Sequence, residues 1–195
     1  MQKQLYRITV TLCSPLHICG GTDADGTRVP AACGGVPYIP ASVLKGLLRS
    51  RYRAYLELLG PVNCTAGPGK QRSCGCPVCR LFGAGGFQPS RVILDNLLTE
   101  QGADLVLSLR TNAAIDRRLQ TGRDGMLVST RIVEPFDRNG LPVRFSGEMT
   151  AWLSGGSDAV RRDEALLLRA ARDIIEIGSG KSRGFGLVRT EAVRI

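Results

Sequence analysis

Gly178-Ser179-Gly180-Lys181-Ser182-Arg183-Gly184-Phe185-Gly186 joins a helical pattern, Asp158 to Ile175, to a closing strand pattern, Leu187 to Ile195. Glycine lets the backbone take positive φ and approach a ligand closely, because no Cβ intervenes. Successive N–H groups in such a loop make a concavity that binds anions. Lys181 and Arg183 add full charges and Ser182 a hydroxyl, so the loop reads as a phosphate holder; the plainer reading is a glycine-rich turn. The ending Gly180-Lys181-Ser182 imitates a nucleotide-binding P-loop, but that pattern needs a glycine where this chain has Ile175. The order is also wrong, since the helix precedes the loop. Spacing and order both argue against a nucleotide triphosphatase.

Outward from the loop, Leu5 to Leu12 alternates with period two, as a half-buried strand does. Residues 19–36 read as a long loop. Pro37-Tyr38-Ile39-Pro40 leads into a helix with Ser42 as its N-cap, running to Leu59 before Gly60-Pro61 stops it. Leu44, Leu48, Tyr52 and Tyr55 fall on one face. Lys45, Arg49 and Arg53 follow at i+4 and form a basic stripe, which is either a solvated face or a contact surface. Gly46 suggests close approach of something to that turn. Residues 60–90 are a low-periodicity insertion. Arg91–Asp95 and Asp104–Leu109 read as strands, and residues 112–140 as an extended hairpin with its tip near Thr121–Gly125. Pro142–Leu153 is a further strand. In the second helix, Val160, Leu167, Ala171 and Ile174 point inward. Strand, helix, strand, strand, helix, strand is the α+β, ferredoxin-like order, expected here as one domain over residues 1–195.

The chain carries a net charge of +9, and its only lysines are Lys3, Lys45, Lys70 and Lys181. Such an arginine-rich balance points to a polyanionic partner, although a GC-rich genome yields the same composition. No apolar run approaches the length of a membrane span, and the start is not a signal sequence. The expected location is cytoplasmic, where the seven cysteines are thiols or metal ligands rather than disulfides. Cys64, Cys74, Cys76 and Cys79 suit a tetrahedral structural Zn²⁺ with bonds of ~2.3 Å; a redox pair is the runner-up. Four protein ligands leave no open position for catalysis. With so little apolar content, the insertion needs a metal to order it. Cys13, Cys19 and Cys33 read as bystanders.

Several stretches together resemble one family. Leu16-His17-Ile18-Cys19-Gly20-Gly21 is similar to its "L-H-I-G-G" opening, and Pro37 to Arg49 to its "PYIPGSSLKGxLR". Cys76-Pro77-Val78-Cys79-Arg80-Leu81-Phe82-Gly83 resembles "CPVCRLFG". Ile115-Asp116-Arg117, Glu134 and the final glycine loop fit as well. The chain resembles the RAMP superfamily, specifically a backbone subunit of a type III CRISPR effector complex. That resemblance implies an RRM-like core with a zinc-binding insertion at 60–90 and a thumb β-hairpin at 112–140. It implies copies stacked head to tail on guide RNA beside other effector subunits, with target RNA paired to the guide. Ser42, Lys45, Arg49, Arg53, Arg117, Arg131, Lys181, Ser182 and Arg183 are the RNA-binding residues so expected.

Catalytic members of that family carry an aspartate in the loop before "PYIP", which falls on Asp25, with Asp23 as near competitor. A carboxylate there would hold Mg²⁺ or Mn²⁺, or take the proton of an attacking ribose 2′-OH. The residues after Asp25 depart from the family's "SPVI", and Ala41 replaces a glycine. The expectation is a guide-RNA-binding subunit that is also a metal-dependent endoribonuclease. A non-catalytic scaffold is the alternative, and a guide-processing ribonuclease the third reading. His17, the only histidine, is either an assistant in that site or structural.

Overall fold

A computed structural model describes residues 1–64, 74–84, 88–100 and 104–195. The chain runs β1 (Gln2–Leu12), β2 (Cys19–Thr22), β3 (Arg28–Pro30), β4 (Ala32–Cys33), β5 (Val36–Pro37) and α1 (Ala41–Leu59). It continues through α2 (Pro77–Phe82), β6 (Val92–Leu94), β7 (Leu98–Thr99), β8 (Leu107–Asp116) and β9 (Thr121–Val133). β10 (Arg144–Leu153), α3 (Ser157–Arg172), a 3-10 turn (Lys181–Arg183) and β11 (Val188–Arg194) complete it.

β1 lies inside the main sheet, whose order is β11-β1-β10-β6, with every pairing antiparallel. β7 pairs with β10 beyond β6. The alternation of β1 buries Tyr6, Ile8, Val10 and Leu12. Against that apolar face lie Leu44, Leu48, Tyr52 and Leu56 of α1 and Val160, Leu167 and Ala171 of α3, with Ile174 just beyond. Each such side chain contributes roughly 1.5–3 kcal/mol by leaving water. α1 leaves β1 and α3 enters β11, so the path is compatible with a ferredoxin-like core in an α+β fold. Tyr55 is only half-buried, and the Arg169 guanidinium sits 5.2 Å over its ring.

The structure corrects several sequence expectations. Ser42 does not cap α1: Pro40 holds the cap position without a side-chain bond, and Ser42 is exposed inside the first turn. The Ala41 N–H donates instead to Asn96 Oδ1 at 2.9 Å, from across the fold. Residues 19–36 are not a plain loop. β2 pairs with β3, and β3 runs parallel to β9 through Arg28 and Thr130, giving a second sheet β2-β3-β9-β8. Residues 104–106 are not strand, and Leu107 opens the hairpin strand β8 rather than a core strand. The hairpin turn is at residues 117–120, where Gln120 takes φ 54°. Gly122 and Thr121 are paired, opposite Ile115 and Asp116. Gly125 (φ 71°) sits where the register shifts between Ala113 and Ile115. The part of the insertion at 65–73 and 85–87, and residues 101–103, lie outside the described residues.

Candidate nucleic-acid interface and metal centre

All four glycines at the ends of the final loop segments adopt positive φ: Gly178, Gly180, Gly184 and Gly186. A Cβ at Gly186 would stand 2.0 Å from the Ile177 carbonyl oxygen, and one at Gly178 would stand 2.4 Å from that of His17. The glycines therefore permit close backbone packing. Many of the N–H groups expected to face an anion are used internally. Ser179 N donates to His17 O (2.9 Å), Gly186 N to Pro15 O (2.8 Å) and Arg183 N to Gly180 O (2.8 Å). What the loop presents outward is its tip, where Lys181, Ser182 and Arg183 are exposed.

That tip faces α1 across an open groove of about 450 Å³ lined by Ser42, Val43, Gly46, Leu47, Ser179 and Lys181, among others. Among the described residues, apart from the backbone of its own helix turn, nothing comes within 4 Å of a Cβ built on Gly46, so the groove is open there. Lys45 is half-buried, and burial, then the nearby Arg49, lowers its ammonium pKa. Ser42 and Lys181 thus come from distant parts of the sequence to one groove, while Ser182 and Arg183 line a second, polar cleft that shares Ser179 with it.

A chain of contacts leads from the loop to the acidic turn. Ser179 holds the His17 carbonyl, and the buried His17 donates from Nδ1 to the Arg131 carbonyl at 2.9 Å. The Arg131 guanidinium lies 3.6 Å from Asp23 Oδ2. Asp23 and Asp25 both accept from the Thr27 N–H, at 3.0 and 2.9 Å. The two carboxyls also share a hydrogen bond, which holds Asp25 down at about 2 and pushes Asp23 up. Asp23, paired with Arg131, is the more readily protonated of the two. Arg117 is exposed at the hairpin turn and is not among the residues that line the groove. Sequence reasoning missed Arg28 and Asn112, which with His17 and Arg183 line a polar cleft of about 250 Å³. No local signal marked them: Arg28 lay in a presumed loop and Asn112 in a hairpin arm.

The four insertion cysteines converge. Their Sγ atoms lie within 4.8 Å of one another, and Cys64 and Cys79 are 3.5 Å apart. A tetrahedron with ~2.3 Å bonds has S–S edges of about 3.8 Å, so the donor set fits a metal such as zinc. Cys76 caps α2 by accepting from Cys79 N (3.4 Å), and Pro77 takes the first helical position. Burial, then the Cys64 thiol, pushes Cys79 up to about 12; clustered thiolates here require a counter-charge. Arg49 supplies one, with Nη2 3.6 Å from Cys79 Sγ. Arg53 pairs with Glu57 at 2.8 Å. The basic stripe on α1 therefore divides, with Arg49 at the cysteines and Lys45 one residue before Gly46 of the groove. The lobe is also less dependent on metal than its composition suggested. Val78, Leu81 and Phe82 are buried in the main core, Phe82 against Tyr52 at 5.6 Å. Arg80 pairs with the buried Asp163 at 3.2 Å. Cys13, Cys19 and Cys33 are exposed and outside the cluster.

Among the described residues no helix is long and apolar enough to cross a membrane. A search of curated proteins finds no match to this chain. The family model of the RAMP superfamily matches residues 9–189, from within β1 into β11. With nearly the whole chain matched, this protein belongs to the RAMP superfamily of CRISPR-associated RNA-binding proteins.

Proposed function

We propose that the chain is a guide-RNA-binding backbone subunit of a type III CRISPR effector complex, and that within the assembled complex it cuts the paired target RNA. The observation that carries this reading is continuity. The groove, His17, Arg131 and the Asp23–Asp25 turn are joined by successive hydrogen bonds and an ion pair. A strand of RNA lying along Ser42, Lys45 and Lys181–Arg183 would then pass near the carboxylates, with Arg53, Arg117 and Arg131 extending the basic surface. Further copies of the chain and other effector subunits would stack head to tail, an open heterologous contact. The β8–β9 hairpin would act as the thumb that displaces a nucleotide. Zn²⁺ held by Cys64, Cys74, Cys76 and Cys79 would fix the 60–90 lobe.

In the cleavage step, a target 2′-OH loses its proton as its oxygen bonds to the adjacent phosphorus. The P–O5′ bond breaks and the leaving 5′-oxygen takes a proton from water, leaving a 2′,3′-cyclic phosphate and a 5′-hydroxyl. Asp25, held as an anion, suits binding Mg²⁺ or Mn²⁺, which would neutralise charge on the phosphate. Asp23, whose pKa is raised, suits accepting the proton. The scaffold reading has its own support: Asp23 and Asp25 already satisfy the Thr27 N–H, and Asp23 pairs with Arg131. The guide-processing reading rests on His17, whose imidazole, kept neutral by burial, suits a general base.

The test is the complex purified with co-expressed guide and given target RNA with Mg²⁺. Cuts at even spacing are expected, with Asp25→Ala slowing them by on the order of 10² to 10⁴ and target binding unchanged. Binding without any cutting by the wild-type complex favours the scaffold.

A further inference from the structure

We propose that the polar cleft at His17 is a ribose-reading site: His17 Nε2 accepts the 2′-OH of one guide nucleotide while Arg28 and Arg183 hold its phosphate. The proposal rests on the reading of this chain as a guide-RNA binder, and it makes His17 the group that separates RNA from DNA.

Three observations lead there. His17 is among the residues that line the cleft, and its Nε2 is buried with no hydrogen-bond partner among the described residues. Its other nitrogen is bound to a carbonyl, which accepts only, so Nδ1 carries the hydrogen and Nε2 presents a lone pair. Burial lowers the His17 pKa; the bond to the Arg131 carbonyl opposes this and the Arg28 charge adds to it, and the net shift is downward, which favours the unprotonated lone pair.

A buried acceptor without a donor is costly, so the ligand must bring a donor. Arg28 and Arg183 line the same cleft, so it favours an anionic ligand. At about 250 Å³ the space far exceeds the ~30 Å³ share of one water. A ribonucleotide meets all three demands, with a hydroxyl donor beside a phosphate. Base amines also donate, but they differ between bases, whereas a guide of arbitrary sequence offers a 2′-OH at every position. The 2′-OH is also the group by which proteins tell RNA from DNA. Asn112 and Thr130, on the cleft wall, can bond the remaining sugar oxygens.

The sole histidine makes the test direct. In the full-length chain labelled with ¹⁵N-histidine, one pair of ring resonances reports on His17. A single-stranded RNA is compared with the same sequence carrying 2′-fluoro sugars, which keep the size and lose the donor. RNA should move the Nε2 resonance to a hydrogen-bonded position and bind roughly three- to tenfold tighter than the 2′-fluoro strand. In His17→Phe, provided it folds, that preference should vanish. Equal affinities with equal shifts, or an Nε2 already hydrogen-bonded in the free protein, would overturn the proposal. No binding of either strand would overturn both the proposal and the RNA-binding reading beneath it.

Discussion

The cysteine lobe and the glycine-loop groove both hold arginine or lysine, and they use it in opposite ways. In the lobe the cations are bound to the protein itself, Arg80 to Asp163 at 3.2 Å and Arg49 to Cys79 at 3.6 Å. At the groove Lys181 and Arg183 stand exposed on a tip whose backbone is fixed by internal bonds. The charge total thus overstates the surface available to RNA. A cation beside a thiolate or a buried carboxylate serves the fold, and only one held outward by a rigid frame serves a partner.

The comparison breaks first at Phe82, if the lobe is not rooted in the core. Phe82→Ala should cost about 3–5 kcal/mol in denaturant unfolding, while RNA affinity of the folded fraction stays unchanged. On the other side, Gly186→Ala should cost about 3 kcal/mol or more, because its Cβ meets the Ile177 carbonyl. Gly184→Ala, equally left-handed but in open space, should cost only about 1 kcal/mol. Equal losses at the two glycines would contradict the account of the loop.

Arg49→Ala sharpens the division of the α1 stripe. It should release metal to a chelator roughly 10- to 100-fold more readily, with RNA affinity changed less than about twofold. Wild-type protein purified without metal would remove the zinc reading; wild-type metal with an unaltered Arg49→Ala release rate would remove only the role of Arg49. The smallest effect concerns His17. Its folded pKa lies below the ordinary 6.5, so below that value the unfolded chain binds the extra proton. The stability His17 contributes is complete above pH 6.5 and is lost as pH falls toward the lowered folded value. Thermal unfolding between pH 7.5 and about 5 should show that slope, and His17→Gln should flatten it.

The core was legible because its signals are local. Tyr6, Ile8, Val10 and Leu12 alternate, and Leu44, Leu48 and Tyr52 repeat at helical spacing, so burial follows from periodicity. The four cysteines were legible because ligand type and spacing are themselves the chemistry. The second sheet was not: β3 meets β9 through the single pair Arg28 and Thr130, which leaves no alternation to read. Nor was the start of α1, where the cap comes from Asn96 in place of Ser42. The hairpin turn was misplaced because Gln120, not a glycine, takes the positive φ, while Gly125 lies at a register shift. The direction of each arginine was also hidden. Arg49 and Lys45 share a stripe by spacing, and only the fold turns one of them toward the cysteines.

RNA affinity across a salt series, for the wild type and for Lys45→Ala/Lys181→Ala/Arg183→Ala, tests the central claim most directly. Each lost phosphate contact on a single strand lowers the slope of log K against log salt by about 0.7. The account predicts a slope shallower by about two, with weaker binding at moderate salt and little dependence on sequence. An unchanged slope and affinity in the triple variant would show that the groove between α1 and the glycine loop does not hold the RNA.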